Sequence, residues 1–223
     1  MKKLALLHTV VWLPKVLQRM CAEVMPEVRT YNIVDESLLQ EAIERGELTP
    51  RIYRAIADYV VAAEEWGSDA LLVTCSSISP CVDVAQKLVA IPVLKIDEAM
   101  ADEAVEMGVN IGVVATLPST LNPTSALVQE RARLQGKDVN VKPVLCEGAF
   151  EAASSGDPLT HDQIVREALQ ELGRSVDVIV LAQASMARVA DSLDEKDKVV
   201  PILSSPTLGI NRAKQVLEGV ESK

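Results

Sequence analysis

The stretch Leu71–Cys81, LLVTCSSISPC, runs a fully apolar segment straight into a thiol, two hydroxyls and a proline. Cys75 at such a strand end is a candidate base or nucleophile, with Ser76 and Ser77 beside it as hydroxyl donors. The helix expected to start near Pro80, together with the backbone N–H groups before it, is expected to favour a thiolate at Cys75. An inert, buried cysteine is the alternative reading. His8, at the end of the first apolar run, is the nearest candidate for a second acid–base group, and a histidine buried for packing is the alternative there.

The other reactive types point elsewhere. Cys75 and Cys81 are separated by five residues, which is not a zinc spacing, and the chain has only two histidines, so no metal is expected. Cys21 lies in an amphipathic stretch and reads as core. Cys146 reads as packing after a strand, and Cys81 as the first turn of a helix. His161 falls in a first helical turn and is expected to be solvated. The acidic run Asp191–Asp197 reads as a solvated loop. Trp12 either caps a pocket or plugs an interface. The segment Glu147–Pro158, which contains Phe150, reads as a mobile connection or a subunit contact.

The elements that must position these groups form an alternating series. Strands are predicted at Lys3–His8, Val28–Val34, Ala70–Thr74, Ile91–Ile96, Val109–Ala115, Val139–Leu145, Val176–Ala182 and Val199–Leu203. Most are rich in Val, Ile and Leu without strict alternation, as expected of parallel strands covered on both faces. Amphipathic helices fill the gaps. Pro14 and Pro50 sit at first-turn positions, and Thr160–Gln163 reads as a capping box. With aromatics at 3% of 223 residues, the core must be aliphatic. The predicted class is α/β with right-handed crossovers.

An internal repeat organises the series. Asp69–Ile78 lies over Asp177–Met186 at an offset of 108, Ile91–Leu94 over Val200–Leu203 at 109, and Leu4–Thr9 over Ile111–Thr116 at 107. The shared order and register predict two duplicated α/β lobes, each with a mainly parallel four-stranded sheet flanked by helices. The predicted lobes are residues 1–98 with 205–223, and residues 99–204. The last helix, roughly Thr207–Gly219, is expected to pack back on the first lobe. Ligands of open α/β sheets bind at the carboxyl ends of strands, so a cleft between the lobes is expected. The repeat makes Cys75 and Gln183 equivalent positions on it. Thr9, Ser76 and Ser77 line it from one lobe, and Thr116, Thr120, Gln183, Ala184 and Ser185 from the other. Small hydroxyls and free amides suit a small carboxylate or carbonyl ligand and the stabilisation of an enolate.

The motifs VTCSSIS, GVVATLPST and IVLAQASM resemble the aspartate/glutamate racemase superfamily, which includes hydantoin racemases, maleate isomerases and arylmalonate decarboxylases. The resemblance spans the chain. It implies two pseudo-symmetric lobes with the site between them, no cofactor or metal, and proton abstraction next to a carboxylate by one cysteine per lobe. Carried over, Cys75 matches the first cysteine, and Ser76, Ser77 and Thr116 match positions that hold the substrate carboxylate. The second cysteine position holds Gln183, whose amide neither takes nor gives a proton. Three readings are compatible with this pattern. The first is a racemase-type isomerase acting at the α-carbon of a small amino acid or related carboxylate, with His8 as the second base. The second is a one-sided decarboxylase or cis–trans isomerase. The third is a small-acid binding protein.

A formal net charge of −10 and the lack of a basic stripe argue against nucleic acid as a partner. The opening apolar run is short and interrupted by His8 and Pro14, so it reads as a strand rather than a signal peptide, and no run reaches membrane-spanning length. A cytoplasmic location is expected, and the resemblance implies a homo-oligomer, a dimer or higher.

Overall fold

A computed structural model describes residues 1–194 and 198–220. Residues 195–197 of the acidic run lie outside them. The chain divides into two compact units, residues 1–96 with 206–223, and residues 97–205.

The first unit holds β1 (Lys3–His8), α1 (Leu13–Val24), β2 (Arg29–Val34), α2 (Glu36–Arg45), α3 (Pro50–Glu65), β3 (Ala70–Val73), α4 (Val82–Ala85) and β4 (Val93–Lys95). Its sheet is entirely parallel, in the order β2-β1-β3-β4. The second unit holds α5 (Glu98–Met107), β5 (Asn110–Ala115), α6 (Pro118–Leu134), β6 (Asn140–Leu145), α7 (Ala149–Ser154), α8 (Pro158–Leu172), β7 (Val178–Leu181), α9 (Ala187–Asp191) and β8 (Ile202–Ser204). Its sheet repeats the pattern, β6-β5-β7-β8, again parallel throughout. All eight predicted strands are present, and the two four-stranded sheets agree with the predicted class.

The central strands β1, β3, β5 and β7 are almost wholly buried, which accounts for their unbroken apolar runs. The edge strands are more exposed. Pro143 sits in β6, an edge, where its missing N–H breaks no ladder.

Pairing registers carry the repeat down to single residues. Leu4 faces Ala70 in one sheet, and Ile111 faces Val178 in the other. Leu71 faces Val93, and Ile179 faces Ile202. Asp69 and Asp177, the residues that open the sequence repeat, do one job. Each carboxylate takes a backbone N–H at the start of the central strand, Lys3 at 2.8 Å and Asn110 at 2.7 Å.

The last helix, α10 (Ser205–Gly219), belongs mainly to the first unit. Gly209 allows it to approach β4: a Cβ there would lie 2.5 Å from the Ile96 carbonyl oxygen. Lys214 Nζ donates to the Val24 carbonyl at 3.1 Å.

Two local expectations are corrected. α8 is capped by Asp157, which accepts the Thr160 N–H at 3.1 Å, with Pro158 as the first helical residue, so Thr160 is not the cap. His161 is buried rather than solvated, with Nδ1 2.9 Å from Asp162, which also holds Arg188. Residues 147–158 include α7, and Phe150 in it is half-buried. Among the described residues no helix is long and apolar enough to cross a membrane.

Candidate functional site

Cys75 lies two residues beyond β3, at the carboxyl end of the first sheet. The loop turns at once: the Ile78 N–H donates to the Cys75 carbonyl at 3.2 Å, and a 3-10 turn spans Ser79–Cys81. Side chains alternate along strands. Leu71 and Val73 therefore face the same side as Cys75 and pack with Ala5 and Leu7 in the cluster under α2 and α3. Thr9, two residues on from Leu7, meets Cys75 on that side.

Four donors converge on Cys75 Sγ: the Thr9 hydroxyl, the Ser77 and Ile78 backbone N–H groups and the Ser77 hydroxyl. Burial nevertheless dominates and pushes the thiol above its ordinary value, with those donors pulling the other way. The expected thiolate is thus corrected. The donors are in place, but the elements after Cys75 are only a three-residue 3-10 turn and a four-residue helix, and their short dipoles do not offset desolvation. Ser76 and Ser77 are both buried.

The other cysteines are in core surroundings. Burial pushes Cys21 and Cys146 up to about 11 and Cys81 to about 12. Cys75 alone among the four keeps part of its surface open.

His8 is fully buried on the opposite face of the sheet from Cys75. Its Nε2 lies 3.0 Å from Asn32 Oδ1, and its Nδ1 2.9 Å from Thr74 Oγ1. Burial lowers its pKa, with the Asn32 bond opposing, so the ring is neutral. With the Nε2 proton directed to Asn32, the single proton of the Thr74 hydroxyl is shared between Nδ1 and the Leu7 carbonyl, which that hydroxyl also meets at 2.9 Å. Both ring nitrogens are occupied, a placement that favours a structural role over acid–base work. Asn32 and Thr74 carry no signal in the sequence that marks them as site residues. Only the strand register, which brings them beside His8, reveals them.

The second unit shows the same pair of positions differently filled. Thr116, equivalent to Thr9, donates its backbone N–H to Gln183 Oε1 at 2.6 Å and its hydroxyl to the same oxygen at 3.0 Å. With that oxygen held, Gln183 presents its NH₂ group as a pair of donors. Thr120 is buried in the first turn of α6, and Ala184 and Ser185 lie in the 3-10 turn after Gln183, Ser185 exposed. Among the described residues no three His, Cys, Asp or Glu side chains are grouped to hold a metal ion.

Residues 9–213 match the sequence model of the Asp/Glu/Hydantoin racemase family. Solved structures of similar fold include a candidate Asp/Glu racemase of Yersinia pestis (TM-score 0.76, 16% identity, 98% of this chain and 100% of that one). A glutamate racemase isoform of Bacillus anthracis aligns at TM-score 0.73 and 19% identity over 98% of this chain and 82% of that one. The allantoin racemase of Klebsiella pneumoniae aligns at 0.72 and 18% over 100% and 91%. No curated protein sequence matches the chain.

Proposed function

The chain belongs to the Asp/Glu/Hydantoin racemase family, and from that premise we propose a racemase-type isomerase that moves a proton at the α-carbon of a small amino acid or related carboxylate, with Cys75 as the proton carrier. The observation that carries this reading is the convergence of four hydrogen-bond donors on the thiol of Cys75, the one half-buried cysteine, at a strand end. Such donors stabilise the sulfur when it holds charge. The raised pKa keeps the resting thiol neutral, able to give a proton, and makes the thiolate a stronger base once formed, as a weakly acidic C–H requires. Ser76, Ser77 and Thr116 supply hydroxyls for the substrate carboxylate, and the Gln183 NH₂ group donates to a substrate oxygen. Charge that develops on the enolate is met by fixed donors rather than by water. The reading needs no metal or cofactor, and it expects a cytoplasmic homo-oligomer without nucleic-acid or membrane partners.

A second reading is one-sided chemistry, either decarboxylation with protonation from one face or cis–trans isomerisation of a small dicarboxylic acid. Gln183 favours it: an amide at the position equivalent to Cys75 cannot carry a proton, and His8 has both nitrogens engaged.

Deuterium incorporation at the α-carbon, monitored by NMR in D₂O across amino acids and small carboxylates, tests the first reading. Exchange by the wild type that is abolished in folded Cys75→Ser supports it, and full exchange in that variant removes Cys75 from the mechanism. CO₂ release or double-bond isomerisation without exchange selects the second reading. Thermal stabilisation by a small acid without turnover marks a binding protein.

A further inference from the structure

The two units share register and topology, so each serves as an internal control for the other. In the first unit a polar chain crosses three strands side by side: Asn32 on β2, His8 on β1 and Thr74 just beyond β3. The same three positions in the second unit are Pro143, Ala115 and Ala182. Backbone bonding there is equivalent. Thr74 N–H donates to Leu7 O at 2.9 Å, as Ala182 N–H does to Val114 O at 2.9 Å, and Asp35 N–H donates to His8 O at 3.0 Å, as Cys146 N–H does to Ala115 O at 2.8 Å. The fold therefore forms without the polar chain. A buried neutral imidazole needs partners for both nitrogens, and the first unit supplies them in Asn32 and Thr74 where the second unit has Pro143 and Ala182.

What differs between the units lies one residue further along each strand. In the second unit Gln183 ties the two strand ends together itself, because its long side chain carries Oε1 back to the Thr116 N–H and hydroxyl. A cysteine is two bonds shorter, and its tie to the first strand end is the single bond from the Thr9 hydroxyl. In the first unit Cys75 Sγ receives the Thr9 hydroxyl beside the donors of its own loop. The backbone bond to Leu7 or Val114 joins the two strand ends in both units, and the first unit adds side-chain links of its own: Thr74 Oγ1 donates to the Leu7 carbonyl at 2.9 Å and meets His8 Nδ1 at 2.9 Å.

We propose that the Asn32–His8–Thr74 chain is a positioning device for Cys75: it clasps the end of β1 to the end of β3 so that the Thr9 hydroxyl stays on Sγ. His8 is then a positioning residue, not a second base. This inference rests on the reading of Cys75 as the reacting group, but its test reads the thiol directly.

The test measures iodoacetamide labelling of Cys75 against pH by peptide mass spectrometry in wild type, His8→Ala, Thr74→Val and Thr74→Ser, each with and without Thr9→Val. Circular dichroism and continued protection of Cys21, Cys81 and Cys146 report the fold. His8→Ala and Thr74→Val are expected to slow labelling at a fixed pH about threefold, the scale of weakening one hydrogen bond to sulfur. Thr74→Ser keeps the hydroxyl and should label as wild type. In the Thr9→Val background the His8 and Thr74 effects should vanish, because the clasp acts through Thr9. Unchanged or faster labelling in folded His8→Ala, or an equal loss in the Thr9→Val background, overturns the proposal. If His8→Ala does not fold, the Thr74→Val and Thr74→Ser pair decides by the same criteria. Wild type that exchanges no α-proton would sink the isomerase reading while leaving this labelling comparison intact.

Discussion

Thr9→Val isolates the chemistry of the thiol loop. Valine matches threonine in shape, so the buried site keeps its volume and loses only the hydroxyl on Cys75 Sγ. After burial, which pushes the thiol up, the Thr9 hydroxyl is the largest influence and the first of the donors pulling it back down. A hydrogen bond to a charged acceptor is worth about 2 kcal/mol. Its loss lowers the thiolate population at a fixed pH roughly 30-fold, at about 1.4 kcal/mol per tenfold. The remaining thiolate is more basic and hence more nucleophilic, with a Brønsted coefficient of about 0.45, which returns a factor of roughly 5. The expected outcome is iodoacetamide labelling about sixfold slower near pH 8, with the midpoint of the pH profile moved upward. The sign comes from the donors: they favour the anion, so removing one disfavours it. Labelling that is unchanged or faster in a folded Thr9→Val protein would show that the hydroxyl does not support the thiolate, and the site reading would lose its central observation.

Other perturbations reach further into the molecule. Gln183→Ala leaves the Thr116 N–H and hydroxyl without their acceptor, and denaturant unfolding should show a loss of about 1–3 kcal/mol; a neutral result would mean that water replaces the amide at no cost. Gln183→Cys adds a second proton carrier at the position equivalent to Cys75, so NMR and polarimetry should show inversion rising relative to exchange, and an unchanged ratio would argue that the second unit does not face the reacting carbon. Gly209→Ala forces a methyl against the Ile96 carbonyl and should cost about 1–3 kcal/mol, read as a fall in Tm. Asp177 is held below the ordinary carboxylate range by the Asn110 and Val109 backbone N–H groups. Its contribution is therefore full above the unfolded carboxylate pKa and is lost as pH falls through the lower folded value, so Asp177→Asn should flatten the acid limb of stability measured below about pH 4.

The sequence alone determined a great deal. Parallel strands buried on both faces need unbroken apolar runs, and those runs placed all eight strands to within a few residues. The duplication was legible because each copy kept the same landmarks: an aspartate at the strand start, a threonine after the first strand, and Cys75 or Gln183 at the end of the third. These landmarks have local duties, which sequence spacing preserves. Helix starts were less legible. Asp157 took the cap expected at Thr160 because a carboxylate accepting the Thr160 N–H, with Pro158 next in the chain, outcompetes a hydroxyl three residues later.

Tertiary structure decided what spacing does not encode. The thiol's protonation depended on the balance between burial and four donors, and burial is a property of the packed core rather than of the segment around Cys75. Likewise His8 was a visible candidate in the sequence, but its role turned on Asn32 and Thr74, which lie 24 and 66 residues away. Only the strand register brings those side chains to its two nitrogens, and the same alternation sends the ring to the face opposite Cys75. A sequence shows which groups are present, whereas long-range pairing sets which face each occupies and what each one touches.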